Sequence, residues 1–289
     1  MIERITVDPD LLGECPVWDP DSDVLWWVDI EGRAIRRYAA GPGTLESREV
    51  EGRPGSLALS AQPGRLLVAM EHQVGWFEWD TGSWEPWLDL ESGGTGNRLN
   101  DGRCDPAGRF WVGSMFERTA DDRFTGVLYR LDPSGATSSL ATGIGVSNGL
   151  AFPADGRRMY YADTFRDTVW SYDYDLASGE RSNERVFTDY RDLPGRPDGA
   201  CVDADGCYWT ACVFGSAVAR LTPDGDVDRV IELPVVCPTM PAFGGVGLST
   251  LFVTSLREAG ATPADSSHDG HLLALDVGVS GIPEPRFGG

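Results

Sequence analysis

The chain contains no lysine: all 24 of its basic residues are arginine. That removes Schiff-base chemistry and any lysine general base. Histidine is nearly as scarce, with 3 in 289 residues, at positions 72, 268 and 271. The last two lie in a Gly/Ser/Asp-rich stretch that reads as a surface loop, so a histidine-dependent triad has little to build on. The 6 cysteines lack the spacing of a disulfide framework, and none forms a Cys-x-x-Cys pair. Cys15, Cys104 and Cys201 read instead as small buried hydrophobes. No run approaches the length of a membrane span, and the first residues carry no apolar signal segment, so the expected home is the cytoplasm. Acidic residues outnumber basic ones by 45 to 24, a formal charge of −21. Such a surface repels phosphates and anionic lipid, which argues against nucleic acid and membrane as partners. Nothing resembles a long amphipathic helix with caps.

What is present is turn punctuation and short apolar runs. The 36 Gly and 19 Pro are spread along the chain, not gathered in one linker. Strand-like runs occur at 25–28, 66–69, 110–112, 159–162, 208–211 and 251–253, spaced 41 to 49 residues apart. That spacing falls within the range of about 40 to 50 residues for propeller blades. A second run follows in each unit, at 34–38, 74–79, 126–131, 168–172, 217–221 and 271–275. Alternation such as Val127-Leu128-Tyr129-Arg130-Leu131 suits strands covered on one face. The expected fold is all-β: a six-bladed β-propeller with a central metal-binding channel, forming one domain over residues 1–289. A β-sandwich is the competing architecture, but it would not repeat a polar residue at a fixed offset. The alternating stretch 3–7 is expected to complete the blade containing 271–275 and to close the ring.

The repeated polar residue carries the chemistry. Most turns ahead of the runs are variants of Asp-Pro-x-Gly, among them those opening at Asp19, Asp105, Pro153 and Asp203. Five residues upstream of these stand Glu14, Asn100, Asn148 and Asp198. In a propeller this offset falls at the start of the innermost strand, where side chains look into the channel. Glu14, Asn148 and Asp198 would bring two carboxylates and one amide carbonyl to one place. Such an oxygen-only set suits one divalent cation (Ca²⁺, Mg²⁺ or Mn²⁺), with Zn²⁺ less expected from ligand type. Asn and Asp also cap turns, which is the ordinary reading of any one of them. Arg98, two residues before Asn100, would share its face and add a fixed cationic donor for a carbonyl or an oxyanion. A surface ion pair is its other reading. Gly149 and Gly199, next to Asn148 and Asp198, permit the close approach that a lined channel needs.

With these motifs in place, the chain resembles the SMP-30/gluconolactonase/luciferin-regenerating family, along essentially its whole length. The marks are Gly13-Glu14-Cys15-Pro16-Val17-Trp18, Arg98-Leu99-Asn100-Asp101-Gly102, Ser147-Asn148-Gly149-Leu150, Tyr161-Ala162-Asp163-Thr164, Pro197-Asp198-Gly199-Ala200 and Phe243-Gly244-Gly245. The resemblance implies a metal held by Glu14, Asn148 and Asp198, substrate contacts from Arg98 and Asn100, and Asp198 as general base. The implied activity is metal-dependent opening of sugar lactones to aldonic acids. Several family members place a substrate-contacting Glu soon after the segment matching Gly113-Ser114-Met115. Here Arg118 aligns there, with Glu117 beside it, so substrate preference does not carry over. An organophosphate or aryl-ester hydrolase of the same propeller type, or a non-catalytic metal-binding propeller, are the alternatives.

Overall fold

The computed structural model describes residues 2–91, 93–259, 262–263 and 266–288. Six four-stranded antiparallel sheets follow one another along the chain. Each begins with a strand buried along nearly its whole length: Gly13–Asp19, Ser56–Leu59, Asn97–Cys104, Ser147–Ala151, Arg196–Val202 and Pro238–Gly244. These are the innermost strands, and they contact one another around the ring. The strands farthest out, such as Thr44–Glu49 and Val227–Glu232, are mainly exposed. The gradient follows from geometry, because an inner strand is flanked by two neighbouring blades while an outer strand meets water. The architecture is the six-bladed all-β propeller expected from the repeat.

The apolar runs read from the sequence are the second strands, for example Val24–Asp29 and Tyr208–Val213. Apolar side chains of adjacent sheets form a wedge of core between each pair of blades. Trp27, Trp111 and Trp209, on the second strands of alternate blades, are completely buried. Burying a large apolar side chain is worth roughly 1.5–3 kcal/mol. Stability is therefore spread around the ring instead of residing in one central core. All six cysteines are buried and unpaired. Among the described residues helix is limited to three 3-10 turns, and no helix is long and apolar enough to cross a membrane.

The ring closes as the alternating amino-terminal stretch suggested. Ile2–Arg4 pairs antiparallel with Leu273–Asp276 and supplies the outer strand of the last blade. The strand ends sooner than the alternation did, because Thr6 turns inward. Its Oγ1 accepts from the Leu272 amide (3.0 Å) and lies 3.0 Å from His271 Nδ1. His271, expected on a surface loop, is thus buried. The pairing partner lies more than 260 residues away, which local composition does not report.

A carboxy-terminal strap crosses the end of the ring where first strands turn into second strands. Ser280 O accepts from Ala204 N (2.8 Å), Phe287 N donates to Leu59 O (2.8 Å), and Gly288 N donates to Gly108 O (3.0 Å). Arg286 reaches Asp19 and Asp21 at 2.5 and 2.6 Å. Between these anchors Glu284 enters the channel from below and pairs with the buried Arg103, whose Nη2 donates to Ala200 O at 2.7 Å. Two cavities between strap and inner strands measure only about 10 Å³ each, one lined by residues that include Cys15 and Met240, the other by Phe152 and Val202, with Arg103 and Glu284 common to both.

Candidate functional site

At the opposite end of the ring the innermost strands do something regular strands do not. Five of the six carry a bulge, with register shifts at Glu14/Val17, Leu99/Gly102, Asn148/Ala151, Pro197/Ala200 and Pro238/Pro241. A bulge bends the strand and re-aims side chains. Glu14 and Asn148 are the last paired residues before their bulges, whereas Asn100 and Asp198 are the first residues within theirs. The equal offsets in sequence therefore correspond to two backbone registers one residue apart. Glycine is required at two of these bends. A Cβ on Gly149 would stand 2.6 Å from the Tyr208 hydroxyl, and one on Gly199 would stand 2.4 Å from Met240 Cγ.

Local anchors fix where each inner strand begins. Asp29, ending the second strand of the first blade, accepts from the amides of Leu11 (3.1 Å) and Leu12 (3.0 Å), just ahead of Glu14. Asp163 does the same in the fourth blade, accepting from Gly145 (2.9 Å) and Val146 (3.0 Å), just ahead of Asn148. The Tyr161-Ala162-Asp163-Thr164 motif is thus a brace for the site.

The side chains meet as a hydrogen-bonded line across three blades. Arg98 Nη1 donates to Asn100 Oδ1 (2.6 Å) and to Leu99 O (3.1 Å). Asn100 Nδ2 donates to Asn148 Oδ1 (3.1 Å) and Ser147 O (2.9 Å). Asn148 Nδ2 donates to Thr164 Oγ1 (2.8 Å), which donates to Pro197 O (2.7 Å), the carbonyl preceding Asp198. Arg98 is 7% exposed, and its Nε and Nη2 donate to none of the described residues. This is no surface ion pair. Half of a buried guanidinium fork remains available.

Glu14 and Asp198 join this group through charge. Burial raises both carboxyls, and each is then raised further by neighbouring carboxylates: Glu14 by Asp101, and Asp198 by Glu14 and then Asp101. Arg98 acts in the opposite sense on both. Asp101 is a third buried carboxyl, which sequence reasoning passed over beside Asn100. Burial pushes it up to about 6 against the pull of Arg103. Its Oδ2 accepts from Leu150 N (3.0 Å), while its Oδ1 is buried without a partner. Two or three carboxylates cannot all ionise in one desolvated space unless a cation joins them.

The donor set fits such a cation. Glu14 Oε2 accepts one amide hydrogen, from Cys15 (3.1 Å), which leaves Oε1 uncommitted. Asn148 Oδ1 accepts once, from Asn100, and keeps a second lone pair. Among the described residues no group of three or more His, Cys, Asp or Glu side chains is placed to hold a metal ion. A cation here would accordingly depend on the Asn148 amide and on water, as hard divalent ions do. Arg118 and Glu117 also separate. The Arg118 side chain is 71% exposed and pairs with Asp121 at 3.1 Å, whereas Glu117 Oε1 accepts from Arg53 Nη2 at 2.7 Å.

Residues 12–257 match the family SMP-30/Gluconolactonase/LRE-like region. The chain is 38% identical over its full length to 6-deoxy-6-sulfogluconolactonase of Pseudomonas putida, covering 99% of that protein. It is 35% identical to a pentonolactonase of Haloferax volcanii, over 99% of this chain and 97% of the relative. Human regucalcin is 32% identical over 100% of this chain and 98% of its own. Among solved structures, the calcium-binding regucalcin of Agrobacterium tumefaciens superposes with a TM-score of 0.91 at 30% identity, covering 98% of this chain and 96% of that one. A luciferin-regenerating enzyme gives a TM-score of 0.91 at 29% identity, over 99% and 98% of the two chains. With fold, site and full-length similarity in agreement, this chain belongs to the SMP-30/gluconolactonase/LRE-like family.

Proposed function

We propose that this protein hydrolyses sugar lactones to aldonic acids, with the site at the open end of the channel. The observation that carries the reading is the buried Arg98–Asn100 pair beside two mutually repelling carboxyls, Glu14 and Asp198. A metal buffer needs the carboxyls but has no use for a buried guanidinium with free donors. The names of the relatives, sulfogluconolactonase and pentonolactonase, support the substrate class. When bound by Glu14, Asn148 and Asp198, a divalent cation would supply Lewis-acid polarisation of the lactone carbonyl.

Asp198, ionised, takes a proton from the water that attacks the carbonyl carbon. Arg98 donates from its free Nε and Nη2 toward the oxygen that gains charge as the C–O bond forms. Asn100 fixes Arg98 from the side and is itself fixed by Asn148, so the fork needs little reorganisation. As the tetrahedral centre collapses, the ring C–O bond breaks and the proton held by Asp198 passes to the departing ring oxygen. No covalent enzyme intermediate is needed, in keeping with the lack of a nucleophilic serine motif.

The test is proton release from a panel of aldonolactones, with spontaneous hydrolysis subtracted, before and after chelation and with Ca²⁺, Zn²⁺ or Mn²⁺ restored. Hydrolysis that disappears with chelator and returns with metal is expected. Glu14→Gln removes one of two anionic ligands and should weaken metal binding by titration. A chain that binds metal yet opens no lactone would make the non-catalytic reading the better one.

A further inference from the structure

One arginine organises the rim of the channel above Arg98. Arg53, on the connection between the first two blades, holds carboxylates from three separate loops. Its Nε lies 2.6 Å from Glu71, its Nη2 lies 2.7 Å from Glu117, and its Nη1 lies 3.6 Å from Glu31. Within this cluster three carboxylates surround one guanidinium, so the cluster itself is net negative. Burial disfavours the charged form of Arg53, but Glu71 and Glu117 outweigh it and hold the guanidinium above its ordinary pKa. Two Arg53 donors are committed, Nε to Glu71 and Nη2 to Glu117, while Nη1 stands at ion-pair distance from Glu31.

The rim and the reaction site sense each other. Arg98 is pushed down to about 10, first by burial and then by Arg53, while Glu31, Glu14 and Glu117 act the other way. The geometry agrees: Glu71 O accepts from Leu99 N (2.8 Å) and Glu117 N donates to Gly96 O (2.8 Å), so two of the rim residues are tied to the segment that carries Arg98. A substrate held by that fork presents its remaining substituents to Glu31, Glu71 and Glu117. Sugar hydroxyls are donors that these carboxylates can accept. A sulfonate or phosphate placed beside them would meet three like charges set around the single guanidinium of Arg53.

We propose that Arg53, Glu31, Glu71 and Glu117 form a charge filter that admits neutral aldonolactones and rejects those bearing an anionic substituent. The proposal rests on the lactone-hydrolase reading and adds a substrate class to it. The sulfonated lactone in the name of one relative would then be a poor substrate here.

The experiment measures kcat and KM for glucono-δ-lactone and for its phosphate monoester at the terminal carbon, in the metal-loaded parent, Glu31→Gln and Glu71→Gln. At low salt the neutral lactone should be preferred by at least about 10-fold in kcat/KM, since like-charge contacts strongly oppose binding. The preference should shrink at ~0.3 M salt, where screening is shorter-ranged. It should also shrink in each Gln variant, through a lower KM for the phosphate ester and not through kcat. Glu31 has the longest contact with Arg53, so its Gln variant perturbs the rim least, and circular dichroism checks that both variants fold. Equal use of both lactones, or a ratio unmoved in both folded variants, would overturn the filter alone. Hydrolysis of neither lactone would overturn the hydrolase reading and the filter with it.

Discussion

The two ends of the channel are built from the same six strands but solve opposite problems. At the strap end, Glu284 and Arg103 place a carboxylate against a guanidinium, and a chain segment covers both. At the open end, Glu14, Asp198 and Asp101 are buried together, with Arg98 close enough to ease but not cancel their repulsion. One end has satisfied its charges with protein. The other keeps carboxyl oxygens and half of a guanidinium in reserve, which costs stability and, under the proposed function, would serve a cation and a polar substrate. The difference shows how a propeller can satisfy its charges at one end of the ring while leaving buried polar groups uncommitted at the other.

Asp198→Asn probes the reactive end hardest. The amide keeps a carbonyl oxygen for a metal but cannot accept a proton at neutral pH. Lactone hydrolysis at saturating metal should fall by roughly 10²-fold to 10⁴-fold. Metal occupancy measured on the same sample separates lost chemistry from lost metal, and a near-parent rate in the loaded variant would place the base elsewhere.

Arg98→Lys comes next. A mobile ammonium cannot hold Asn100 and also present a fixed second edge, so a loss of about 10²-fold to 10³-fold in rate is expected with fold and metal retained. Full activity would remove Arg98 from the site.

At the strap end, Glu284→Gln should leave chemistry largely intact and lower stability instead. Removing one partner of a buried ion pair typically costs about 3–5 kcal/mol. Glu284 is partly reached by solvent, so the lower end of that range is expected in denaturant unfolding. An unchanged unfolding midpoint would mean that the backbone contacts of the strap suffice without the ion pair.

The smallest effect is a pH dependence confined to the open end. In metal-free protein the Glu14 carboxyl is raised from its ordinary 4.5 to about 8, so the folded state holds a proton that the unfolded state has released. This contribution to stability is complete below pH 4.5 and is lost as pH rises through about 8. Thermal midpoints of the metal-free protein should therefore fall across that window, and Ca²⁺ should flatten the decline by preferring the ionised form. Glu14→Gln should flatten it without metal. A slope identical in parent and variant would show that Glu14 is not the group responsible.

Much of this was legible in the residues. The recurrence of Asp-turn, apolar run and upstream polar residue is a local pattern, because each blade meets nearly the same surroundings. Glu14, Asn100, Asn148 and Asp198 announced themselves by offset, and Arg98 by its two-residue spacing from Asn100. Asp101 was hidden, since a carboxylate beside another polar residue and ahead of Gly102 reads as part of a turn. The one-residue difference in register between Glu14 and Asp198 was also hidden, because bulges are set by pairing with the second strand. His271 was misplaced on the surface for the same reason, its neighbour Thr6 arriving from the other end of the chain.

The sequence alone determined the number of blades, the all-β class and the set of polar residues at the channel, because these follow from periodicity and from side-chain chemistry. Only the tertiary structure decided that Glu284 seals one end, that Arg53 gathers Glu31, Glu71 and Glu117 at the other, and that Glu117 rather than Arg118 faces the rim. Those facts depend on contacts between segments far apart in the chain. Their energies come from burial and from charges brought together across loops, neither of which a run of neighbouring residues encodes.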